Sequence, residues 1–77
     1  GNDILNFTLD IKNSARINVE LSDESGRLIG KYPSFERSAG RNSFAIKLDG
    51  IHTGIYFLTI YTNGKKLKTE KVIIRKN

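Results

Sequence analysis

Seventy-seven residues with no cysteine and a single histidine hold no disulfide and lack the donor set of a structural zinc site. No stretch approaches the roughly 20 apolar residues of a membrane-spanning helix. The net charge of +5, from 13 Lys and Arg against 8 Asp and Glu, favours acidic partners in general, yet no helix-turn-helix or RNA-binding signature accompanies it, and nucleic acid is not an expected ligand.

Apolar residues recur with period two along almost the whole chain, which predicts strands. Ile4 to Ile11 ("ILNFTLDI") places Leu5, Phe7, Leu9 and Ile11 on one face. Lys12-Asn13-Ser14 makes a turn, and Ala15 to Leu21 follows with Ile17, Val19 and Leu21 aligned. The next stretch, "SDESGR", has turn chemistry. Asp23 can bond its own backbone, and Gly26 suits the left-handed position that closes a G1 bulge. A loop from Asp23 to Gly26 sets Leu21 opposite Leu28, Val19 opposite Gly30 and Ile17 opposite Tyr32, so that Leu28 and Tyr32 face the core.

Pro33 to Asn42 carries the only proline and little periodicity, and reads as a loop with Phe35 tucked back on the core. Ser43 to Asp49 resumes the alternation, with Phe44, Ile46 and Leu48 in phase. After a short connection, Gly54 opens a strand that runs to Thr62. Asn63-Gly64 is a strong hairpin signal, and a last strand spans Lys65 to Lys76. Two registers fit this final hairpin. A plain two-residue loop pairs Tyr56 with Lys71, so that the lysine stem lies across the ring. A bulge near Thr69 instead turns Val72 and Ile74 inward. With no helical period anywhere, the fold class is all-β: one immunoglobulin-like antiparallel β-sandwich of six or seven short strands over residues 1–77.

Catalytic chemistry has no carrier in this sequence. His52 stands alone in a connection, the carboxylates of Asp23 and Glu24 belong to a turn, and the glycines are scattered at turns and strand ends rather than gathered in a phosphate loop. The expectation is a non-enzyme without cofactor or metal. A carbohydrate- or protein-binding module is the alternative, because Tyr32, Phe35, Tyr56, Phe57 and Tyr61 are available for stacking if they line an open sheet face.

Three stretches in order carry a resemblance. "DESGRLI" (Asp23 to Ile29) fits a D-x-x-G-R-hydrophobic turn. "IKLDGIHTGIYFLTI" (Ile46 to Ile60) fits I-x-L followed by G-x-Y and an alternating strand. "KTEKVIIRKN" (Lys68 to Asn77) is a basic, apolar strand at the end of the sequence. Over about residues 15 to 77 the chain resembles the C-terminal sorting domain of proteins exported by the type IX secretion system of Bacteroidetes. The proline- and asparagine-rich lead-in common before the first strand of that family is missing, and "GNDILNFTLDI" stands there. The resemblance implies a non-catalytic address. It implies a cargo upstream in the same chain, a periplasmic transit, and recognition by outer-membrane secretion machinery. It also implies a surface sortase, and a destination at the cell surface or outside the cell. Carried over by position, Asp23, Gly26 and Arg27 form the first motif, Gly54 and Tyr56 the second, and Lys71, Arg75 and Lys76 the third.

Overall fold

The computed structural model describes residues 3–75. Seven strands follow one another: β1 (Ile4–Ile11), β2 (Ala15–Asp23), β3 (Leu28–Lys31), β4 (Phe35–Arg37), β5 (Gly40–Lys47), β6 (Gly54–Thr62) and β7 (Lys65–Ile74). All pairings are antiparallel. β1 and β5 form a small two-stranded sheet. The larger sheet runs β3-β2-β6-β7, and β4 continues the β3 edge by pairing with the first residues of β2. The chain therefore changes sheet after β1, between β4 and β5, and between β5 and β6, as expected of a β-sandwich.

The core is what the period-two pattern dictates. Inward residues from both sheets meet: Leu9, Phe44, Ile46 and Leu48 from one side, Ile17, Val19, Leu21, Tyr56, Leu58, Ile60 and Ile74 from the other. Ile17, Val19, Leu21 and Ile60 are fully enclosed. Phe7 stacks on Phe44 with ring centroids 5.0 Å apart, and Phe35 meets Phe44 edge-on at 5.3 Å. Phe35 is thus packed on the core as expected, but through a short strand rather than a loop, and β5 begins at Gly40 rather than at Ser43.

Both hairpin tips carry the expected turn residues. Asn63 and Gly64 have positive φ (50° and 83°), as a type I′ turn requires. Asn63 also stitches the tip to β2: its N–H donates to the Arg16 carbonyl at 2.9 Å, and its Oδ1 accepts from the Arg16 N–H at 3.0 Å.

One register corrects the sequence expectation, and another decides between the two that fit the last hairpin. In the first hairpin, Asp23 and Arg27 close the loop, since the Asp23 N–H donates to the Arg27 carbonyl at 2.9 Å. Ser22 therefore faces Leu28, and Leu28 lies outward, 51% exposed. Surplus chain at Ile29 then restores the phase, so that Gly30 faces Leu21 and Tyr32 returns to the core side. In the last hairpin the surplus residue is Leu67, two positions before the bulge considered from sequence. Tyr61 faces Lys66, but Ile60 faces Lys68. From there Tyr56 pairs with Val72 and Gly54 with Ile74, and Ile74 is buried. Lys71 lies opposite Phe57 on the outer face, not across Tyr56.

Candidate functional site

The turn after β2 is built around one carboxylate. Oδ1 of Asp23 accepts from the Ser25 N–H at 2.9 Å, the Ser25 hydroxyl at 2.6 Å and the Arg27 N–H at 3.0 Å. Oδ2 accepts from Nε of Arg27 at 3.2 Å. The Ser25 hydroxyl, the two backbone N–H groups and the Arg27 charge hold the Asp23 carboxyl below its ordinary range, outweighing partial desolvation. The Gly26 N–H donates to the Asp23 carbonyl at 3.0 Å. Gly26 sits at φ +89°, where a side chain is strained. Asp, Gly and Arg in this spacing are thus explained by one closed turn.

The G-x-Y element has a different logic. Tyr56 enters the core at the start of β6, just after the chain crosses between sheets, and its hydroxyl donates to the His52 carbonyl at 2.8 Å. This bond pins the crossover to the strand that follows it, as a tyrosine corner does in immunoglobulin-like domains. Gly54 does not adopt positive φ. Its Cα lies beneath the Tyr56 ring, and an added methyl would touch the ring at 3.5 Å. The same arrangement recurs in "GKY". Tyr32 folds over Gly30, where a methyl would sit 3.1 Å from the phenol oxygen, and the Tyr32 hydroxyl donates to the Lys47 carbonyl at 3.1 Å. Each tyrosine therefore ties one sheet to a connection or strand on the other side.

Across the larger sheet, the three motifs meet at one end. Asp23 pairs with Tyr56, and Tyr56 pairs with Val72. One step along, Ser22, Phe57 and Lys71 form the next row. The turn and the start of β6 share a shallow cleft of about 420 Å³ lined by Asp23, Arg27, Gly54 and Tyr56 among others. Arg75 follows β7 directly and is exposed. Lys76 lies outside the described residues.

The sequence reading missed the outer apolar surface at this same end. Ile73 is 59% exposed, Leu28 is exposed, and Ile55 and Phe57 are half-exposed on β6. Ile73, Ile55 and Phe57 stand beside Lys71, and Leu28 lies in the same row at the far edge of the sheet. The signal was present in "VII": once a register is chosen, one of three consecutive apolar residues in an edge strand must face outward. β7 is lysine-rich from Lys65 to Lys71, which discourages pairing, but Val72-Ile73-Ile74 carries no such guard. Among the described residues, β7 has a strand on one side only.

The aromatic residues available for stacking are divided. Tyr56 is buried, and Tyr32 and Phe35 pack against the core. Phe57 and Tyr61 remain half-exposed on the outer face of β6, where the Tyr61 hydroxyl bonds Glu20 at 3.2 Å. They do not form a continuous row, because Thr59 lies between them. No group of three or more metal-ligating side chains occurs among the described residues, and no helix is long and apolar enough to cross a membrane.

No curated protein and no solved structure matches this chain. The family model described as "Secretion system C-terminal sorting domain" matches residues 1–75 and so takes in β1, the first two motifs and the third as far as Arg75. The chain belongs to the family of type IX secretion C-terminal sorting domains.

Proposed function

We propose that this domain is the address that directs an upstream cargo of the same chain through the type IX secretion system, and that it is read at the end of the large sheet where its three motifs converge. Family membership supplies the general role: a C-terminal sorting signal for export to the cell surface or beyond. The observation that carries the finer reading is the convergence itself. Asp23, Tyr56 and Val72 share one row of the sheet. Beside them the unguarded end of β7 presents Ile73 with Lys71 and Arg75 on either side.

Their roles divide. Asp23, Gly26, Gly54 and Tyr56 build the platform. Lys71, Ile73 and Arg75 are the groups a receptor touches. The open edge of β7 offers backbone donors and acceptors for strand addition, Ile73 offers an apolar anchor, and the cations steer toward an acidic receptor surface. In this reading the domain is not an enzyme. It passes through the periplasm and meets the outer-membrane machinery there. A surface sortase then separates it from its cargo.

The test is a reporter fused ahead of residues 1–77 in cells with a working type IX system. The fusion is expected to reach the surface. Loss of residues 71–77, or the pair Lys71→Glu and Ile73→Ser, is expected to retain the reporter inside the cell. The point variants should melt within a few degrees of the parent. Equal export of parent and folded variants overturns the assignment of the site. Failure of the parent itself overturns the assignment of the function.

A further inference from the structure

The small sheet has an open side that the sorting motifs do not use. Among the described residues, β1 pairs only with β5, so the backbone groups along its other edge have no strand partner. Three contacts fix where that edge points. The Tyr32 hydroxyl on the Lys47 carbonyl, the Phe35 ring against Phe44, and the Arg37 guanidinium 5.0 Å from the Phe44 ring centre all hold β5 over the β3/β4 edge. β1 therefore lies over the middle of the large sheet, and its open edge faces the β7 side.

β7 projects beyond it. Leu58 and Glu70 face each other across β6 and β7 and share the inner face, yet Leu58 is 3% exposed while the Glu70 side chain is 55% exposed. Lys68, opposite the enclosed Ile60, is likewise 42% exposed and pairs with Glu70 at 2.8 Å. The result is a step beside the first half of β7, with the β1 edge as its wall and the inner face around Lys68 and Glu70 as its floor.

We propose that this step binds a single extended, acidic segment of another protein, which adds to β1 as a third strand of the small sheet. β1 is suited to pairing: eight residues with no lysine, proline or glycine, in contrast to the lysine-rich first half of β7. The net charge of +5 disfavours a second copy of the chain along this edge. The charge selects the ligand. Lys12 lines the cleft that β1 and Leu67 share at the hairpin end of the step, and Lys65 and Lys68 stand on the same face of β7, opposite Thr62 and Ile60. Asp10 is engaged by Arg41 at 3.4 Å, and Glu70 and Lys68 offset each other at 2.8 Å, which leaves Lys12 and Lys65 as the surplus charge. Strand addition supplies the backbone bonds, and the lysines supply the preference for carboxylates. None of this involves Asp23, Tyr56 or the end of β7, so the inference stands apart from the export reading.

The experiment titrates a synthetic nonapeptide of alternating valine and glutamate into the isotope-labelled 77-residue chain. Saturable shifts and slowed hydrogen exchange are expected at alternate amides between Ile4 and Ile11. The same peptide with lysine for glutamate is expected to bind about tenfold more weakly, and Lys65→Glu to weaken the acidic peptide about three- to fivefold. No response at millimolar peptide overturns the proposal. So does a response centred on Val72 to Ile74, equal binding of the basic peptide, or a peptide-free dimer protected along β1.

Discussion

The hydroxyl of Tyr56 donates to the carbonyl of His52, four residues back along its own chain. The bond joins the first residues of β6 to the connection that brings the chain across from β5. Tyr56→Phe keeps the ring and removes only this bond, and is expected to cost about 1 kcal/mol. Tyr56→Ala also empties part of the core and is expected to cost about 3–5 kcal/mol. A domain of this size has roughly 3–5 kcal/mol in hand, so the alanine variant should be largely unfolded at 25 °C while the phenylalanine variant folds. Urea unfolding followed by circular dichroism separates them.

Gly26, Gly30 and Gly54 should respond unequally to alanine. Gly26 needs positive φ, and Gly30 has only 3.1 Å between an added methyl and the Tyr32 oxygen. Gly26→Ala is expected to cost about 1–2 kcal/mol through backbone strain, and Gly30→Ala to displace the Tyr32 hydroxyl from Lys47. Gly54→Ala meets its ring at ordinary contact distance and should change stability by well under 1 kcal/mol. Thermal melts of the three variants give the ranking. A Gly54→Ala loss as large as that of Gly26→Ala would contradict it.

Asp23 gives the domain an acid sensitivity with a definite sign. Its folded pKa lies below the ordinary 3.8, so the folded state favours the ionised form. The stability this contributes is fully present above pH 3.8 and is lost as pH falls through the lower, folded value. Asp23→Asn should therefore be less stable than the parent at pH 7. The difference between the two should shrink below pH 3.8. Unfolding midpoints measured from pH 2 to pH 7 check this, and a gap that does not change with pH would rule the linkage out.

Core and surface isoleucines should part company. Ile17→Ala removes a fully enclosed side chain and is expected to cost about 2–5 kcal/mol. Ile73→Ser removes one that is 59% exposed and should lie within about 0.5 kcal/mol of the parent. Denaturant midpoints test both. Only the second variant should remain folded and yet lose export.

Much of the fold is legible because each strand alternates cleanly. Ile17-Val19-Leu21 and Phe44-Ile46-Leu48 announce their buried faces, and Asn63-Gly64 and Gly26 announce their turns. The site motifs are legible as local patterns, but not their convergence, which depends on which strands become neighbours. What stayed hidden has a physical cause. Ile29 and Leu67 are surplus residues in antiparallel ladders, and a branched or aliphatic side chain carries no mark of a bulge. Leu28 consequently reads as core and lies outside. Phe35 to Arg37 is too short for periodicity to show, and its strand character comes from β2 and from the ring of Phe44 rather than from its own sequence.

Leu67 changes the parity of everything after it. Upstream, the Asn-Gly tip dictates a rigid two-residue reversal. Downstream, the last four residues of β7 must place Val72 and Ile74 against Tyr56 and Gly54 and leave Lys71 and Ile73 outside. One uncounted residue lets both demands be met in a single hairpin. An unbroken ladder, with Leu67 paired to Ile60, would leave the composition of β7 untouched and exchange its two faces, setting Lys71 opposite Tyr56 and turning Val72 and Ile74 to the surface. Which face the last strand shows to solvent thus rests on one odd residue as much as on its lysines.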